Sequence, residues 1–256
     1  MRVYLMIFAS ALFATDVVEH VAVAGNFELV GVAAVPPKKQ GRKSTWWREQ
    51  IGYWGPLGTF WIIAASLARK LPALLRSPRA FRRGLDEVCG ALEVPFRTLE
   101  DVNDPAFVEF IREQNIDILV SFQQRIFKQP LLNAPKFACL NVHTGLLPGY
   151  RGSKPVFWMH AREEPEMGVT IHTMTEGIDT GHVVVQRRWK RRPASSVLEN
   201  QFWSYRCAAH TIVEAVETFG TRPGTGVSQV VVESRYFMSP TREERAQAVR
   251  AGTRLL

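Results

Sequence analysis

Apolar and polar positions along this chain follow two alternating rhythms. "RVYLMIF" is a continuous apolar run, and behind it Asp16 and Glu19 fall among Val17, Val18 and Val21 at helical spacing. After the turn at Gly25-Asn26 a second run extends from Glu28 to Val35. Strand, helix and strand at this spacing open a parallel α/β sheet. The rhythm returns after residue 83. It predicts a helix over 84–92, a strand from Val94 to Arg97, a helix starting at Asn103-Asp104-Pro105 and ending near Glu113, and a buried strand from Asp117 to Phe122. "FACLNVH" (137–143), "GVTIHTMT" (168–175) and "HVVVQRRWK" (182–190) read as further strands, ahead of an amphipathic helix from Ser196 to Phe219. The last part predicts one strand and a charged helical tail. The expected fold is α/β, an open, mostly parallel sheet with helices on both faces, in a domain over 1–220 followed by a tail over 221–256.

Between these parts, over about 38–83, the rhythm breaks. Tryptophans crowd this insertion, an apolar stretch runs from Leu57 to Ala68, and Arg69, Lys70, Arg76, Arg79, Arg82 and Arg83 follow. A membrane span needs about 20 apolar residues, more than this run supplies. Two readings stay open. The insertion packs as helices on the main body or on the mate of a homodimer, or residues 45–83 meet a membrane surface, with arginines answering anionic lipid.

Composition narrows the class. With 256 residues, 46% hydrophobic and 22% charged, the chain is no disordered protein and has material for one large domain. Cys89, Cys139 and Cys207 are odd in number and lack metal-ligand spacing, which argues against a disulfide framework and for a reducing, cytoplasmic setting. Only Arg2 precedes the first apolar run, and Asp16 follows it closely, so it reads as a buried strand rather than a secretion signal. The net charge of +8 favours an anionic partner: a phosphorylated substrate, nucleic acid or a membrane surface. "RRWKRR" (187–192) reads as a solvated edge or a phosphate-binding patch. "FASALFATD" holds no glycine where a dinucleotide-binding turn needs one, so a nicotinamide or flavin dehydrogenase is not expected. No His/Cys cluster points to a metal.

The candidate chemistry begins at "NVHTGLLPGYRG" (141–152). Residues two apart on a strand face one side, so Asn141 and His143 converge beyond the strand's carboxyl end, where open parallel sheets place ligands. An amide donates to a developing oxyanion, and an imidazole moves protons near neutrality. Asp179, in "TEGIDTGHVVV", lies in a loop able to reach the same crevice. Taken singly, these residues also fit a turn, a structural histidine and a turn cap. "DTG" alone does not make an aspartic protease, which needs a pair. His160, His172, His182 and His210 read as ordinary helix or strand residues. An Asn, a His and an Asp without a Ser or Cys nucleophile describe an enzyme that holds an acyl donor while an external nucleophile attacks it.

Asn141, His143, "LLPGYRG" (146–152), Pro155, "GVTIHTM" (168–174) and "EGIDTG" (176–181), in this order and spacing, resemble the formyltransferases that use 10-formyltetrahydrofolate. The resemblance implies a Rossmann-like fold and no metal. It places the formyl group between Asn141 and His143, with Asp179 holding a water or the histidine. It implies a pterin site along Gln124, Arg125, Ile126 and Phe127, closed by the loop that begins at Glu176 and Gly177. The segment "SFQQRIF" (121–127) is nearest to the members that formylate nucleotide-linked amino sugars. Members acting on methionyl-tRNA carry a further C-terminal domain of roughly 100 residues, which the short tail leads one not to expect, nor nucleic acid as a partner. Those acting on glycinamide ribonucleotide hold its phosphate in a glycine loop after the first strand, which is missing. The formyltetrahydrofolate hydrolases of the family carry an N-terminal regulatory domain, also missing. The expected acceptor is therefore a small amine, anionic in the sense that a nucleotide sugar is, with an amino acid or a natural-product intermediate as alternatives. Thr144-Gly145 departs from the Pro-Ser or Gly-Ser of many relatives. A rival reading is a formyltransferase-like docking protein whose site is idle.

Overall fold

The computed structural model describes residues 1–9, 14–36, 54–55, 58–60, 63–64, 84–229 and 236–256. Most of the insertion at 38–83, with its proposed membrane or dimer contacts, lies outside the described residues. Strand β1 (Arg2–Phe8) leads into helix α1 (Ala14–Ala24) and β2 (Glu28–Val35). Then come α2 (Leu85–Ala91), β3 (Phe96–Thr98), α3 (Pro105–Glu113), β4 (Ile118–Phe122), α4 (Gln129–Leu132) and β5 (Ala138–His143). They are followed by β6 (Arg151–Gly152), α5 (Pro155–Ala161), β7 (Glu166–Thr173), β8 (Val183–Lys190), α6 (Val197–Thr221), β9 (Tyr236–Phe237) and α7 (Arg242–Arg250). Among the described residues no helix is long and apolar enough to cross a membrane.

Seven strands form one sheet in the order β3-β2-β1-β4-β5-β7-β8. The first five are mutually parallel, while β7 runs antiparallel to β5 and to β8. Strand order reverses at β1, whose neighbours are β2 on one side and β4 on the other. Such a reversal leaves a crevice beyond the strands' carboxyl ends, because the connecting helices depart to opposite faces.

Alternation along the central strands feeds two cores. Val3, Leu5 and Ile7 of β1, with Val120 and Leu140, pack against Val17, Val21, Ile212 and Val216 of α1 and α6. Tyr4 and Met6, with Leu119 and Cys139, pack against Phe107, Ile111 and Leu131 of α3 and α4. Burial on both faces explains why β1 and β4 read as unbroken apolar runs. Asp104 caps α3 through Ala106 N, with Pro105 at its first position.

Helix α6 starts on a reciprocal cap. Ser196 Oγ accepts from Glu199 N at 3.1 Å, and Ser196 N donates to the Glu199 carboxylate at 2.6 Å. This helix covers one face of the sheet, so its start bears on the whole domain. Ser196→Ala is expected to lower unfolding stability by about 1 kcal/mol, with Ser196→Asp retaining most of it. Urea denaturation measures this, and an unchanged midpoint in Ser196→Ala contradicts it.

Candidate active site

Three strands bring the polar side chains together. Ser121 of β4 lies opposite Asn141 of β5, and Asn141 lies opposite His172 of β7. His143, two residues along, lies opposite Thr170. The row is thus set by strand register, with Asn141 and His143 on one face as their spacing predicts. Asp179 enters from the loop between β7 and β8, its backbone in the left-handed region at φ 53°.

The Asp179 carboxylate is the hub, its side chain only 9% exposed. Oδ2 accepts from Gly152 N at 2.7 Å and lies 3.5 Å from His143 Nδ1. Oδ1 accepts from Asn141 Nδ2 at 3.4 Å and lies 3.5 Å from His172 Nε2. Burial alone pushes this carboxyl up, but the neighbouring His172, the His143 charge and the Gly152 N–H together hold it down at about 2. It is a carboxylate at any working pH.

Backbone carbonyls set both imidazoles. His143 Nε2 is 2.6 Å from the Tyr150 carbonyl, which only accepts, so Nε2 carries a hydrogen and Nδ1 is where a proton comes and goes. His172 Nδ1 donates in the same way to Thr173 O at 2.8 Å, leaving Nε2 to accept from Asn141 Nδ2 at 3.1 Å. His172 therefore fixes which end of the Asn141 amide faces it. His143 is 5% exposed, and burial lowers its pKa more than Asp179 and the Tyr150 carbonyl raise it. Near neutrality it is an unprotonated base beside a fixed negative charge.

The loop after β5 is pinned from beneath. Thr170 Oγ1 donates to Gly145 O at 2.7 Å, and Gln186 Nε2 donates to Leu147 O at 2.9 Å. A side chain at Gly145 would place its Cβ 2.5 Å from Pro155 and 2.9 Å from His143 Nε2, so the glycine of Thr144-Gly145 is a packing requirement here. The Arg151 guanidinium donates to Ile178 O at 3.1 and 2.7 Å, tying this loop to the one that carries Asp179.

A cleft of about 440 Å³ opens above the cluster. Gln124, Arg125, Ile126 and Phe127 line it, as do Glu176, Gly177, Asn141, His143 and Asp179, so the sequence candidates converge on one cavity. They do not contribute alike. Ile126 is 66% exposed, while the Phe127 ring is buried in the α3/α4 core and leaves only its edge or backbone to the cleft. Arg125 donates from its guanidinium to Pro36 O at 3.1 Å. The 123–127 turn is braced by Gln123, whose amide binds Ser121 Oγ, Arg125 O and Arg125 N, and by Asn103, which donates to Ile126 O.

Sequence reasoning missed His172, Gln123, Tyr205 and Tyr236, all of which line the cleft. His172 reads as an ordinary strand residue and is one, yet it holds Asn141. Its place two residues beyond Thr170 in "GVTIHTM" is a usable signal only once β7 is known to pair with β5. Among the described residues no group of three or more His, Cys, Asp or Glu is arranged to hold a metal ion.

The depressed Asp179 pKa links the site to stability. A carboxyl held at about 2 instead of 3.8 adds stability above pH 4 that is lost as pH falls towards 2. His143, with its lowered pKa, adds a loss that begins earlier, as acid charges the unfolded imidazole below about 6.5. The stability difference between the wild type and Asp179→Asn is expected to narrow by about 2 kcal/mol between pH 5 and pH 2. A difference that stays flat in urea titrations at those pH values contradicts the assignment.

The family model described as formyl transferase matches residues 86–199. The methionyl-tRNA formyltransferase of Deinococcus radiodurans is 31% identical over 215 residues, 84% of this chain and 57% of that protein. The methionyl-tRNA formyltransferase of Chlorobium chlorochromatii is 30% identical over 132 residues, 52% of this chain and 42% of that protein. The chain thus spans less than two thirds of the length of these curated relatives. In fold it is similar to glycinamide ribonucleotide transformylase 1 from Symbiobacterium toebii, with a TM-score of 0.59, 14% identity and coverage of 86% of this chain and 88% of that one. It is also similar to the N-formyltransferase of Helicobacter canadensis, solved with folinic acid and dTDP-3-aminofucose, with a TM-score of 0.58, 17% identity and coverage of 92% and 70%. Residues 86–199 thus match the formyl transferase domain, within a chain similar to methionyl-tRNA formyltransferases.

Proposed function

We propose that this protein transfers a formyl group from 10-formyltetrahydrofolate to the amine of a small acceptor, a nucleotide-linked amino sugar. The observation that carries the reading is the convergence of Asn141, His143 and Asp179 at one end of a cleft, with His143 Nε2 held by the Tyr150 carbonyl and Nδ1 left to exchange a proton. That imidazole is set to take a proton from an incoming amine.

The residues divide the work. The amine attacks the formyl carbon, and the carbonyl oxygen gains the negative charge. Asn141 Nδ2, whose bond to Asp179 is long at 3.4 Å, turns a hydrogen towards that oxygen. His143 Nδ1 takes the proton leaving the amine, and Asp179 at 3.5 Å stabilises the imidazolium that results. The same proton then passes to the departing nitrogen of tetrahydrofolate, and the carbonyl reforms on the acceptor. His172 keeps the Asn141 amide in register throughout. For the donor, Phe8, Phe122, Ile126, Met174 and Ile178 offer apolar surface to a flat pterin, with Gln124 and backbone polar groups at its edge.

The sugar reading of the acceptor is supported by the "SFQQRIF" segment and by the fold shared with the Helicobacter canadensis enzyme. A second reading, methionyl-tRNA, is favoured by the sequence relatives. Cytoplasmic location follows from the substrates of either reading.

A panel of thymidine- and uridine-linked amino sugars, amino acids, polyamines and methionyl-tRNA, each with 10-formyltetrahydrofolate, separates the two. Tetrahydrofolate release that depends on an amino sugar is expected, and release with methionyl-tRNA alone overturns the sugar reading. His143→Ala and Asn141→Ala should each lose on the order of a hundredfold or more in kcat while remaining folded. Activity undiminished in His143→Ala contradicts the mechanism.

A further inference from the structure

The residues that end the chain, set apart in the sequence as a tail, return to the catalytic cluster. Strand β9 pairs with β6, Tyr236 opposite Arg151 and Phe237 opposite Gly152. Ser153 N donates to Phe237 O at 2.7 Å, and Trp158 Nε1 donates to Met238 O at 2.9 Å. The Phe237 ring, 8% exposed, stacks on Tyr150 with centroids 5.3 Å apart and lies 5.2 Å from the Trp158 ring. The Arg162 guanidinium sits 4.8 Å from its centroid.

This strap grips the short segment that supplies a backbone contact to each member of the catalytic pair. The Tyr150 carbonyl accepts from His143 Nε2, and the Gly152 N–H donates to Asp179 Oδ2. Gly152, at φ +96°, lies so close to the strap that a Cβ there would fall 2.2 Å from Phe237 O. Phe237 packs against Tyr150 by its ring and against Gly152 and Ser153 by its backbone. One residue earlier, Tyr236 is 50% exposed and lines the cleft beside Gly152 and Ser153.

We propose that β9 completes the active site: Phe237 is a positioning residue for His143 and Asp179, acting through the backbone of Tyr150 and Gly152, and Tyr236 is a specificity-determining wall for the acceptor. The Tyr236 half rests on the formyl-transfer reading given above. The Phe237 half does not, because it concerns the geometry of His143 in the free protein. The acceptor class that fits Tyr236 is an amine carrying a flat or cyclic group able to lie on a phenol ring.

The test has one arm that needs no substrate. NMR titration of the His143 imidazole in the free protein is expected to show its pKa moving up towards the ordinary value in Phe237→Ala, as water reaches the ring, while Phe237→Leu keeps it near the wild-type position. A wild-type titration in Phe237→Ala overturns the positioning role, whatever the enzyme's reaction proves to be. Should Phe237→Ala not fold, Phe237→Leu compared with Phe237→Val decides on the same readout. In turnover, Phe237→Ala should lower kcat by about a hundredfold, with the acid limb of its pH profile displaced, and Phe237→Leu should restore most of the rate. Tyr236→Ala should raise KM for the acceptor about tenfold while leaving KM for 10-formyltetrahydrofolate near the wild-type value. Equal effects on the two KM values overturn the acceptor role.

Discussion

A carboxylate removed from water has to be compensated, and around Asp179 that requirement organises the site. Left without partners, a buried ion costs several kcal/mol. Here Gly152 N–H and Asn141 Nδ2 donate to it, and the two imidazole rings lie 3.5 Å away. Those partners come from β5, β6 and β7, and the carboxylate itself from the β7–β8 loop. Asp179 adopts the left-handed backbone to reach them. Four successive segments between Asn141 and Asp179 are thus held in one arrangement by a single charge.

The chemistry follows from how those partners are themselves constrained. The Tyr150 carbonyl takes Nε2 of His143, so the proton-exchanging nitrogen is the one beside Asp179. Thr173 O takes Nδ1 of His172, so the other nitrogen faces the Asn141 amide. Neither histidine is free to choose its tautomer. The parallel strands β1, β4 and β5 set this cluster at their carboxyl ends, while the antiparallel β7 brings His172 alongside. A sheet with both directions is what allows an amide on one strand and an imidazole on the next to meet.

Local periodicity made most of this sheet legible. The runs at Val3–Ile7, Gly31–Val35 and Ile118–Phe122 are buried on both faces, and near-continuous apolarity is the pattern such burial leaves. Asn141 and His143 were legible as a pair because strand spacing is two, and Asp179 because a glycine-bounded loop offered it. His172 was not, since only the β5/β7 register turns an isolated strand histidine into a partner for Asn141. Phe127, placed at the cleft by its position in "SFQQRIF", lines it while also packing in the α3/α4 core, a second role its place in the sequence did not signal. Helix α5 went unread because Lys154 enters it from a left-handed conformation and only seven residues follow. The strap at Tyr236–Phe237 leaves no periodic signal in two residues, and its partner lies more than 80 positions back.

Fate of the formyl carbon is the most direct measure of whether this cluster carries out acyl transfer. In a single turnover with 10-formyltetrahydrofolate labelled with ¹³C in the formyl group, the label should appear as a formamide on the acceptor, matched mole for mole by tetrahydrofolate. The Asn141→Ala protein, mixed in the same way, should leave the label on the folate. Label recovered as free formate in the wild type, with the acceptor unchanged, would mean that water rather than an amine is the nucleophile and would contradict the account.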